Sequence, residues 1–283
     1  MKYRTLGKSG IRVSEIGVGG HQETVHLEDS PGHAGLWSSN FDGLVPLMPH
    51  DDRAKVIGRA LDLGVNYFDT SLDTETESLG LSLRILGRRD EAVVTLVTGV
   101  MQYMIPATRH YWAKKAVAQD INCGLRLFGY DHFDVCIVCM CNMWYGDGMI
   151  EGAMEALIEA KQAGKVRAIG FSDHQDGNFS AYMLRTHGEQ LDMMMYPLSW
   201  DRREAEKEIL PLCSQHNVGY VAMKALSRGD LLHNEEFAAY AESIGNTPAV
   251  AALQWVLDHP EVSLALNAVN ALREIEENAG ASE

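Results

Sequence analysis

Short apolar runs alternate with longer amphipathic segments along most of the chain. Eight of these runs have the length of a β-strand, and each is followed by a segment with apolar residues at helical spacing. The runs are EIGVGG (15–20), VNYFDTS (65–71), AVVTLVTG (92–99), FDVCIVCM (133–140), VRAIGFSD (166–173), LDMMMYPL (191–198), VGYVAMKAL (218–226) and VSLALNAV (262–269). Strands that are apolar on both faces indicate a parallel sheet, and eight such units predict an α/β fold in which a (β/α)8 TIM barrel closes.

The segments around these strands add detail to the predicted barrel. Helical patterns end at Gly64 and Gly164, which are natural C-terminal caps. The opening YRTLGKSGIRVSE has two short alternating runs around KSG, and this pattern predicts an N-terminal β-hairpin before the first barrel strand. No low-complexity or proline-rich linker divides the chain, so we predict a single domain over residues 1–283.

The connection between the first barrel strand and its helix is unusually long. It covers residues 21–50, whereas loops beyond about 12–15 residues are uncommon and often functional. The segment contains four histidines and Trp37, a composition that argues against plain disorder. It predicts a lid over the barrel mouth.

Composition excludes several classes of function. The net charge is −15, which disfavours binding to the phosphates of a nucleic acid. No apolar run is long enough for a membrane span, and the first residues lack the apolar core of a signal peptide. Five cysteines, an odd number, do not make a disulfide framework. We therefore expect a cytoplasmic protein that acts on a small molecule, with an oligomeric state that the sequence leaves open.

Several segments occur in an order that resembles the aldo-keto reductase superfamily over nearly the whole chain. They are YRTLGKSGIRVSEIGVGG, LGVNYFDTS, LRLFGYDHFDV, ALIEAKQAGKVRAIGFSD, PAVAALQWVLDHPEVS and the final EEN (276–278). The resemblance implies a barrel that transfers hydride from a nicotinamide. It also implies a catalytic set of Tyr, Lys, Asp and His, in which the Tyr protonates the substrate carbonyl.

Only one member of that catalytic set is matched here. Asp69 stands at the Asp position, whereas Thr74, Thr98 and Cys139 stand at the positions of Tyr, Lys and His. A threonine hydroxyl is far too weak an acid to replace a phenol. The resemblance therefore implies a degenerate tetrad that cannot run the standard proton transfer.

Other residues at the predicted barrel mouth are candidates for a different acid–base set. Asp69 lies at a strand tip without a lysine partner, which makes it a candidate for a raised pKa and for general acid–base catalysis. Thr74 and Glu77 have the spacing of a helix capping box, which is the structural explanation for that segment. The candidate catalytic residues are Asp69, His174, His21, Glu75 and Cys139.

The positions that the resemblance assigns to the cofactor have also changed. Met195 and Met223 stand where a Gln and an aromatic ring contact the nicotinamide, and Ala268, Val269 and Glu274 stand where a 2′-phosphate is held. An acid opposite a phosphate is repulsive, so the resemblance favours NAD over NADP, and loss of NAD(P) binding also remains open. The candidate cofactor-binding residues are Ser172, Asp173, Lys224, Leu226, Arg228, Glu277 and Asn278.

A metal site is not predicted. Cys136 and Cys139 fall on opposite faces of a strand, which disfavours a shared zinc. His21, Asp69, Glu75 and His174 have suitable ligand types, but their spacing does not force them together.

Three classes of function follow. The first is an oxidoreductase acting on a small carbonyl or a sugar or polyol. The second is a redox-free lyase, epimerase or hydratase on the same barrel, and the third is a non-catalytic binding homologue.

Overall fold

The computed structural model describes residues 1–19, 50–104, 109–140, 146–175, 177–269 and 271–282. Most of the predicted lid, with His21, lies outside these ranges. The strands in the described chain are β1 (Tyr3–Thr5), β2 (Arg12–Ser14), β3 (Ile16–Val18), β4 (Tyr67–Thr70), β5 (Val93–Thr98), β6 (Phe133–Met140), β7 (Val166–Asp173), β8 (Met193–Pro197), β9 (Gly219–Met223) and β10 (Val262–Asn267).

Strands β3 to β10 pair in parallel and close into a barrel, in the order β10-β3-β4-β5-β6-β7-β8-β9. Strands β1 and β2 form a separate antiparallel pair. The predicted (β/α)8 barrel and N-terminal hairpin are therefore confirmed.

The α-helices of the described residues connect these strands. They are α1 (His50–Asp62), α2 (Asp73–Leu86), α3 (His110–Phe128), α4 (Asp147–Gln162), α5 (Asn178–His187), α6 (Ile209–His216), α7 (Glu235–Ser243), α8 (Pro248–Leu257) and α9 (Leu272–Ala279). Helices α1 and α4 end two residues before Gly64 and Gly164, whose φ angles of 84° and 73° are left-handed. The predicted helix ends are therefore confirmed. Glycine suits these positions because it adopts the left-handed conformation without the clash of a Cβ.

The apolar residues form two layers of core, one inside the barrel and one between the strands and the helices. Alternation along each strand sends successive side chains to the two layers. In β6, for example, Ile137 packs inside the barrel while Cys136 and Val138 pack on the helix side. A side chain at the carboxyl end of a strand therefore faces either the barrel mouth or a helix, depending on its position in the alternation.

The hairpin closes the amino-terminal end of the barrel. Leu6, Ile11 and Val13 are buried and belong to the core inside the barrel. Arg4 fixes the hairpin in place, because its guanidinium binds Glu15 Oε1 at 2.7 Å. The same guanidinium donates to the carbonyl oxygens of Leu257, His259 and Val262.

Within the described ranges, no helix combines the length and the apolar content that a membrane crossing requires.

Candidate active site

Asp69 lies near the carboxyl end of β4 and is 5% exposed. It lies two residues after Tyr67 in the same strand, so its side chain points to the same face as that of Tyr67, which packs inside the barrel. Asp69 pairs in register with Thr95 of β5. Its Oδ2 atom accepts a hydrogen bond from Ser71 Oγ at 3.3 Å. The structure therefore places this carboxylate on the inner face of the barrel, close to the mouth.

Thr98, at the position that the resemblance assigns to lysine, lies on the other face of β5. Val93 and Val97 pack inside the barrel, so the alternation turns Thr98 toward the helices. Its hydroxyl lies near Asp120 of α3 and partly offsets a rise in the pKa of that carboxyl to about 6, which burial and the charge of Asp73 produce. Thr98 is thus part of a polar cluster between α2 and α3.

The phenol of Tyr67 lies inside the barrel on the same strand as Asp69. The side chain is completely buried, and its hydroxyl contacts Met193 Sδ at 3.8 Å. Burial, followed by the charge of Asp69, raises the pKa of Tyr67 above its ordinary value. A phenol with a raised pKa is a poor proton donor, so Tyr67 is not a candidate for the catalytic tyrosine that the family resemblance implies. The side chains of Tyr103 and Tyr145 lie outside the described residues.

Glu75 caps helix α2. Its Oε2 atom accepts hydrogen bonds from the backbone N–H groups of Ser71 at 2.9 Å and Leu72 at 3.1 Å. The predicted capping box of Thr74 and Glu77 is therefore wrong by two residues, because the helix begins at Asp73 with Leu72 as its N-cap and Glu75 at N3. The buried carboxylate of Glu75 is occupied by two amides at the helix start, which removes it from the acid–base set that we propose below.

Cys139, Ser172 and Met195 form a row on the inner face of β6, β7 and β8. They pair in register across the three strands, and all are buried. Among the described residues, Ser172 Oγ has no hydrogen-bond partner, although it is buried. A buried hydroxyl of this kind is suited to a polar ligand group.

Asp173 follows Ser172 and faces the other way. Its carboxylate accepts hydrogen bonds from the backbone N–H of Gln175 at 2.9 Å and from Ser180 Oγ at 2.7 Å. Burial raises its pKa in spite of these bonds. The carboxylate thus joins the end of β7 to helix α5, and it does not share the inner row with Ser172.

His174 and Lys224 contact each other at the barrel mouth. They directly follow β7 and β9, which flank β8, and the Lys224 Nζ to His174 Nδ1 distance is 2.8 Å. Both side chains are half-buried. In the closed barrel, β4 is three strands from β7 and three from β9. Asp69 therefore lies across the mouth from this pair.

The loop after β9 has an unusual backbone. Lys224, Ser227, Arg228 and Gly229 have φ angles of 60°, 47°, 59° and 101°, in the left-handed region. Backbone in this conformation forms concave N–H surfaces that suit anions. Arg228 is exposed, so with Lys224 the loop carries two cations.

Asp201 braces that loop. Its Oδ1 atom accepts hydrogen bonds from Ser227 Oγ and from Ser199 Oγ, the latter at 2.7 Å. Partial burial would raise the pKa of Asp201, but these two hydroxyls, a backbone hydrogen bond and the charge of Arg202 together more than offset it, and the pKa is lowered. The carboxylate is therefore ionised at neutral pH and holds the loop against residue 199.

The remaining candidate cofactor residues are Leu226, in the loop after β9, and Glu277 and Asn278, on helix α9. Leu226 is partly buried against the core around Leu231 and Phe237. Glu277 is exposed and accepts a hydrogen bond from Thr247 Oγ1 at 2.6 Å, whereas Asn278 on the same helix is buried. No three His, Cys, Asp or Glu side chains converge as metal ligands in the ranges that the structure covers.

Eight parallel strands that alternate with helices and close into a barrel define the TIM-barrel class. The aldo/keto reductase family model matches residues 34–283, and the chain belongs to that family of oxidoreductases.

Curated relatives cover most of the chain at low identity. Aldo-keto reductase YhdN of Bacillus subtilis is 23% identical over 94% of this chain and 84% of its own length. L-galactose dehydrogenase of Arabidopsis thaliana is 21% identical over 99% of this chain and 88% of its own length. L-glyceraldehyde 3-phosphate reductase of Escherichia coli is 21% identical over 99% of this chain and 87% of its own length.

Solved structures share the fold. The holo form of an aldo-keto reductase from Bacillus halodurans has a TM-score of 0.77 at 20% identity, over 100% of this chain and 91% of that one. An aldo-keto reductase from Klebsiella pneumoniae, solved in complex with NADP and acetate, has a TM-score of 0.74 at 22% identity, over 100% of this chain and 90% of that one.

Two features of the site were missed by the sequence analysis. The first is the contact between His174 and Lys224, which join across β8 although they are 50 residues apart. The second is the brace formed by Asp201. Neither has a local sequence signal, because both depend on which strand ends the closed barrel brings together.

Proposed function

We propose that the protein is an oxidoreductase that transfers hydride between a nicotinamide cofactor and a small carbonyl or sugar-type substrate, with a non-standard acid–base set. The observation that carries the proposal is the placement of Asp69 across the barrel mouth from the His174–Lys224 pair. Membership of the aldo/keto reductase family supports it. Two relatives have names that refer to L-galactose and L-glyceraldehyde 3-phosphate, which favours a sugar-type substrate.

The chain's own residues take the following roles in this proposal. His174 holds and releases a proton at the substrate oxygen, because imidazole is the side chain best suited to proton transfer near neutral pH. Asp69 accepts a hydrogen bond from a substrate hydroxyl on the opposite side of the mouth. Cys139 lines the pocket between them, next to Ser172.

The described residues fit a nicotinamide dinucleotide in part. The buried Ser172 hydroxyl, which has no partner among the described residues, suits the carboxamide. Lys224 and Arg228 would hold the diphosphate, and Glu277 and Asn278 would lie at the adenine end, as the family resemblance implies. Asp173 is excluded from the carboxamide role because Gln175 and Ser180 occupy its carboxylate. When bound, the cofactor supplies or accepts the hydride.

The proposal includes a preference for NAD over NADP. Ala268 is exposed and cannot bind a phosphate, while Glu274 on α9 would repel one. Titration with NADH and NADPH, followed by tryptophan fluorescence, tests this preference. We expect tighter binding of NADH, and tighter binding of NADPH would reverse the assignment.

The redox proposal is tested by assaying NADH oxidation with a panel of small aldehydes, ketones and aldoses. Asp69→Asn should lower kcat/KM by about 10- to 100-fold, because a hydrogen bond to a charged group contributes about 1.5–3 kcal/mol, while leaving the circular dichroism spectrum and Tm unchanged. Asp230→Asn, at an exposed aspartate in the loop after β9, is the matched control.

An unchanged rate for Asp69→Asn would remove that carboxylate from the mechanism. Turnover of a substrate by elimination, epimerisation or hydration, without any nicotinamide, would replace the redox proposal.

A further inference from the structure

The contact between Lys224 and His174 fixes which ring nitrogen carries the proton. An ammonium group has three N–H donors and no acceptor, so Lys224 Nζ donates to the lone pair of His174 Nδ1 at 2.8 Å. A neutral imidazole has one proton, which must then reside on Nε2. While this contact persists, Nδ1 cannot take up a second proton.

Lys224 also belongs to the loop that suits an anion. Its left-handed φ of 60° begins a segment in which three more residues have positive φ, and Arg228 is the second cation of that segment. The carboxylate of Asp201, which contacts the loop, already accepts hydrogen bonds from Ser199 and Ser227. An anion bound in this loop would therefore attract the same ammonium group that contacts the His174 ring.

We propose, on the basis of the proposed function, that Lys224 is shared between His174 and the cofactor diphosphate, so that cofactor binding frees His174 Nδ1 to take up a proton. Lys224 is then a positioning residue, and His174 is the catalytic acid that becomes charged only when the cofactor is present. The neutral ring offers Lys224 a hydrogen bond alone, whereas the diphosphate offers it a hydrogen bond and an opposite charge, so the ammonium turns to the diphosphate when it is bound.

The other charged groups around His174 are compatible with an imidazolium. Arg202 donates to the backbone oxygen of His174 at 3.3 Å and to that of Gln175 at 3.4 Å, so its guanidinium is turned to the carbonyl side. The adjacent carboxylate of Asp173 is electrostatically coupled to the ring, because a positive charge on His174 would lower the Asp173 pKa, which burial raises. Once Lys224 turns to the diphosphate, Asp173 is the neighbouring carboxylate that favours a charged ring.

The proton and electron balance of the reduction is simple. With a reduced nicotinamide as the hydride donor, which would itself be oxidised, the carbonyl carbon would accept the hydride, the π electron pair would move to the carbonyl oxygen, and that oxygen would take one proton from the His174 imidazolium. The ring is left neutral and Lys224 keeps its proton throughout. In the oxidation direction the neutral ring takes the proton from the substrate hydroxyl.

The coupling can be measured without turnover. ADP-ribose contains the diphosphate but no nicotinamide, and its binding can be followed by isothermal titration calorimetry in buffers of different ionisation enthalpy. For the full-length protein at pH 7 we expect net proton uptake on binding. Affinity should rise as the pH falls from 8 to 6, by up to about tenfold per pH unit where a whole proton is taken up.

Two variants and a control separate the roles. His174→Gln should bind ADP-ribose without proton uptake, and Lys224→Met should bind it several-fold more weakly, also without uptake. His233→Gln, at an exposed histidine of the same loop region, should behave like the wild-type protein. In the nucleotide-free protein, ¹⁵N NMR should show His174 with its proton on Nε2, and this preference should be lost in Lys224→Met.

The outcomes distinguish this proposal from the proposed function. Binding of ADP-ribose with equal proton uptake in the wild type and His174→Gln overturns the coupling and leaves the oxidoreductase proposal standing. Binding of ADP-ribose to the wild-type protein without any proton uptake also overturns the coupling and leaves the oxidoreductase proposal standing. Failure of the wild-type protein to bind ADP-ribose, NADH or NADPH overturns both proposals.

Discussion

The acidic side chains near the barrel mouth differ in what they contact, and these contacts decide their chemistry. Asp69 is on the inner face, Glu75 binds two backbone amides, and Asp173 joins a strand to a helix. Asp73 and Asp120 lie on the helix side, where each is partly buried and both have raised pKa values. Sequence spacing could suggest that Glu75 caps a helix, but the pairing of Asp73 with Asp120 depends on how α2 and α3 pack.

The Asp120 carboxylate should destabilise the folded protein above about pH 6. Burial, and then the charge of Asp73, raises its pKa from 3.8 to about 6, so the folded state binds more protons than the unfolded state between these values. Stability therefore falls as the pH rises through this window, and the penalty persists above it. Asp120→Asn should raise the free energy of unfolding at pH 8 by up to about 2 kcal/mol and much less at pH 4.

Urea denaturation at the two pH values checks this prediction. Asp90→Asn, at an exposed aspartate, is the control and should have the same small effect at both. An equal gain for Asp120→Asn at pH 4 and pH 8 would contradict the assignment.

Removing the charge of Glu75 should weaken helix α2 without affecting nucleotide binding. Its Oε2 atom accepts two hydrogen bonds from N–H groups that would otherwise lack helical partners. We expect Glu75→Gln to lower the free energy of unfolding by about 0.5–2 kcal/mol, measured by thermal or urea denaturation. Glu77→Gln, exposed on the same helix, should be close to neutral, and a similar loss in both variants would rule out the cap.

At the scale of elements, the sequence predicts strands best where both faces are apolar and the run is long. Strands β6 and β7 have the predicted bounds of 133–140 and 166–173. The predicted run at 218–226 is too long, because β9 ends at Met223 and the chain turns into left-handed backbone at Lys224. An apolar run continues through Ala225 and Leu226, so composition alone could not locate the end of the strand.

The brace at Asp201 should limit opening of the loop after β9. Its carboxylate binds Ser199 and Ser227, and Ser227 has one of the left-handed φ angles that other contacts must maintain. In Asp201→Ala we expect amide hydrogen exchange in residues 224–229 to accelerate by about tenfold or more, with little change in exchange of the barrel strands.

Mass spectrometry of exchanged peptides provides the measurement. Asp230→Ala changes an exposed acid in the same segment and should leave the exchange rates near those of the wild type. If both variants accelerate exchange equally, the brace is not the cause.

At the scale of the whole molecule, the barrel and hairpin were predictable because eight repeats of one pattern give a strong combined signal. The site was predictable only where a residue lies at the carboxyl end of a strand, as Asp69 and Ser172 do, or directly after it, as His174 and Lys224 do. Which of these meet could not be read from the chain, because it depends on strand register and on closure of β10 against β3.

The attachment of the hairpin to the barrel should be a large part of global stability. Arg4 binds Glu15, which is buried, together with three backbone carbonyls near the end of α8 and the start of β10. Arg4→Met leaves a buried carboxylate without this partner, and we expect it to lower the free energy of unfolding by about 2–4 kcal/mol.

Urea denaturation is again the measurement, and Arg12→Met is the control on the same hairpin. Arg12 is exposed and its guanidinium lies over the Tyr3 ring at 4.4 Å from the centroid. A loss in Arg4→Met no larger than that in Arg12→Met would show that the hairpin is held by its apolar side chains alone.

The plug formed by Leu6, Ile11 and Val13 also has a kinetic consequence. In the described residues, side chains close the amino-terminal end of the barrel and fill its interior. We therefore expect reactants and products to enter and leave at the carboxyl end. Whichever molecule lies deeper has to arrive first and depart last. The reactants are therefore expected to bind, and the products to leave, in a compulsory order, which product-inhibition patterns would reveal.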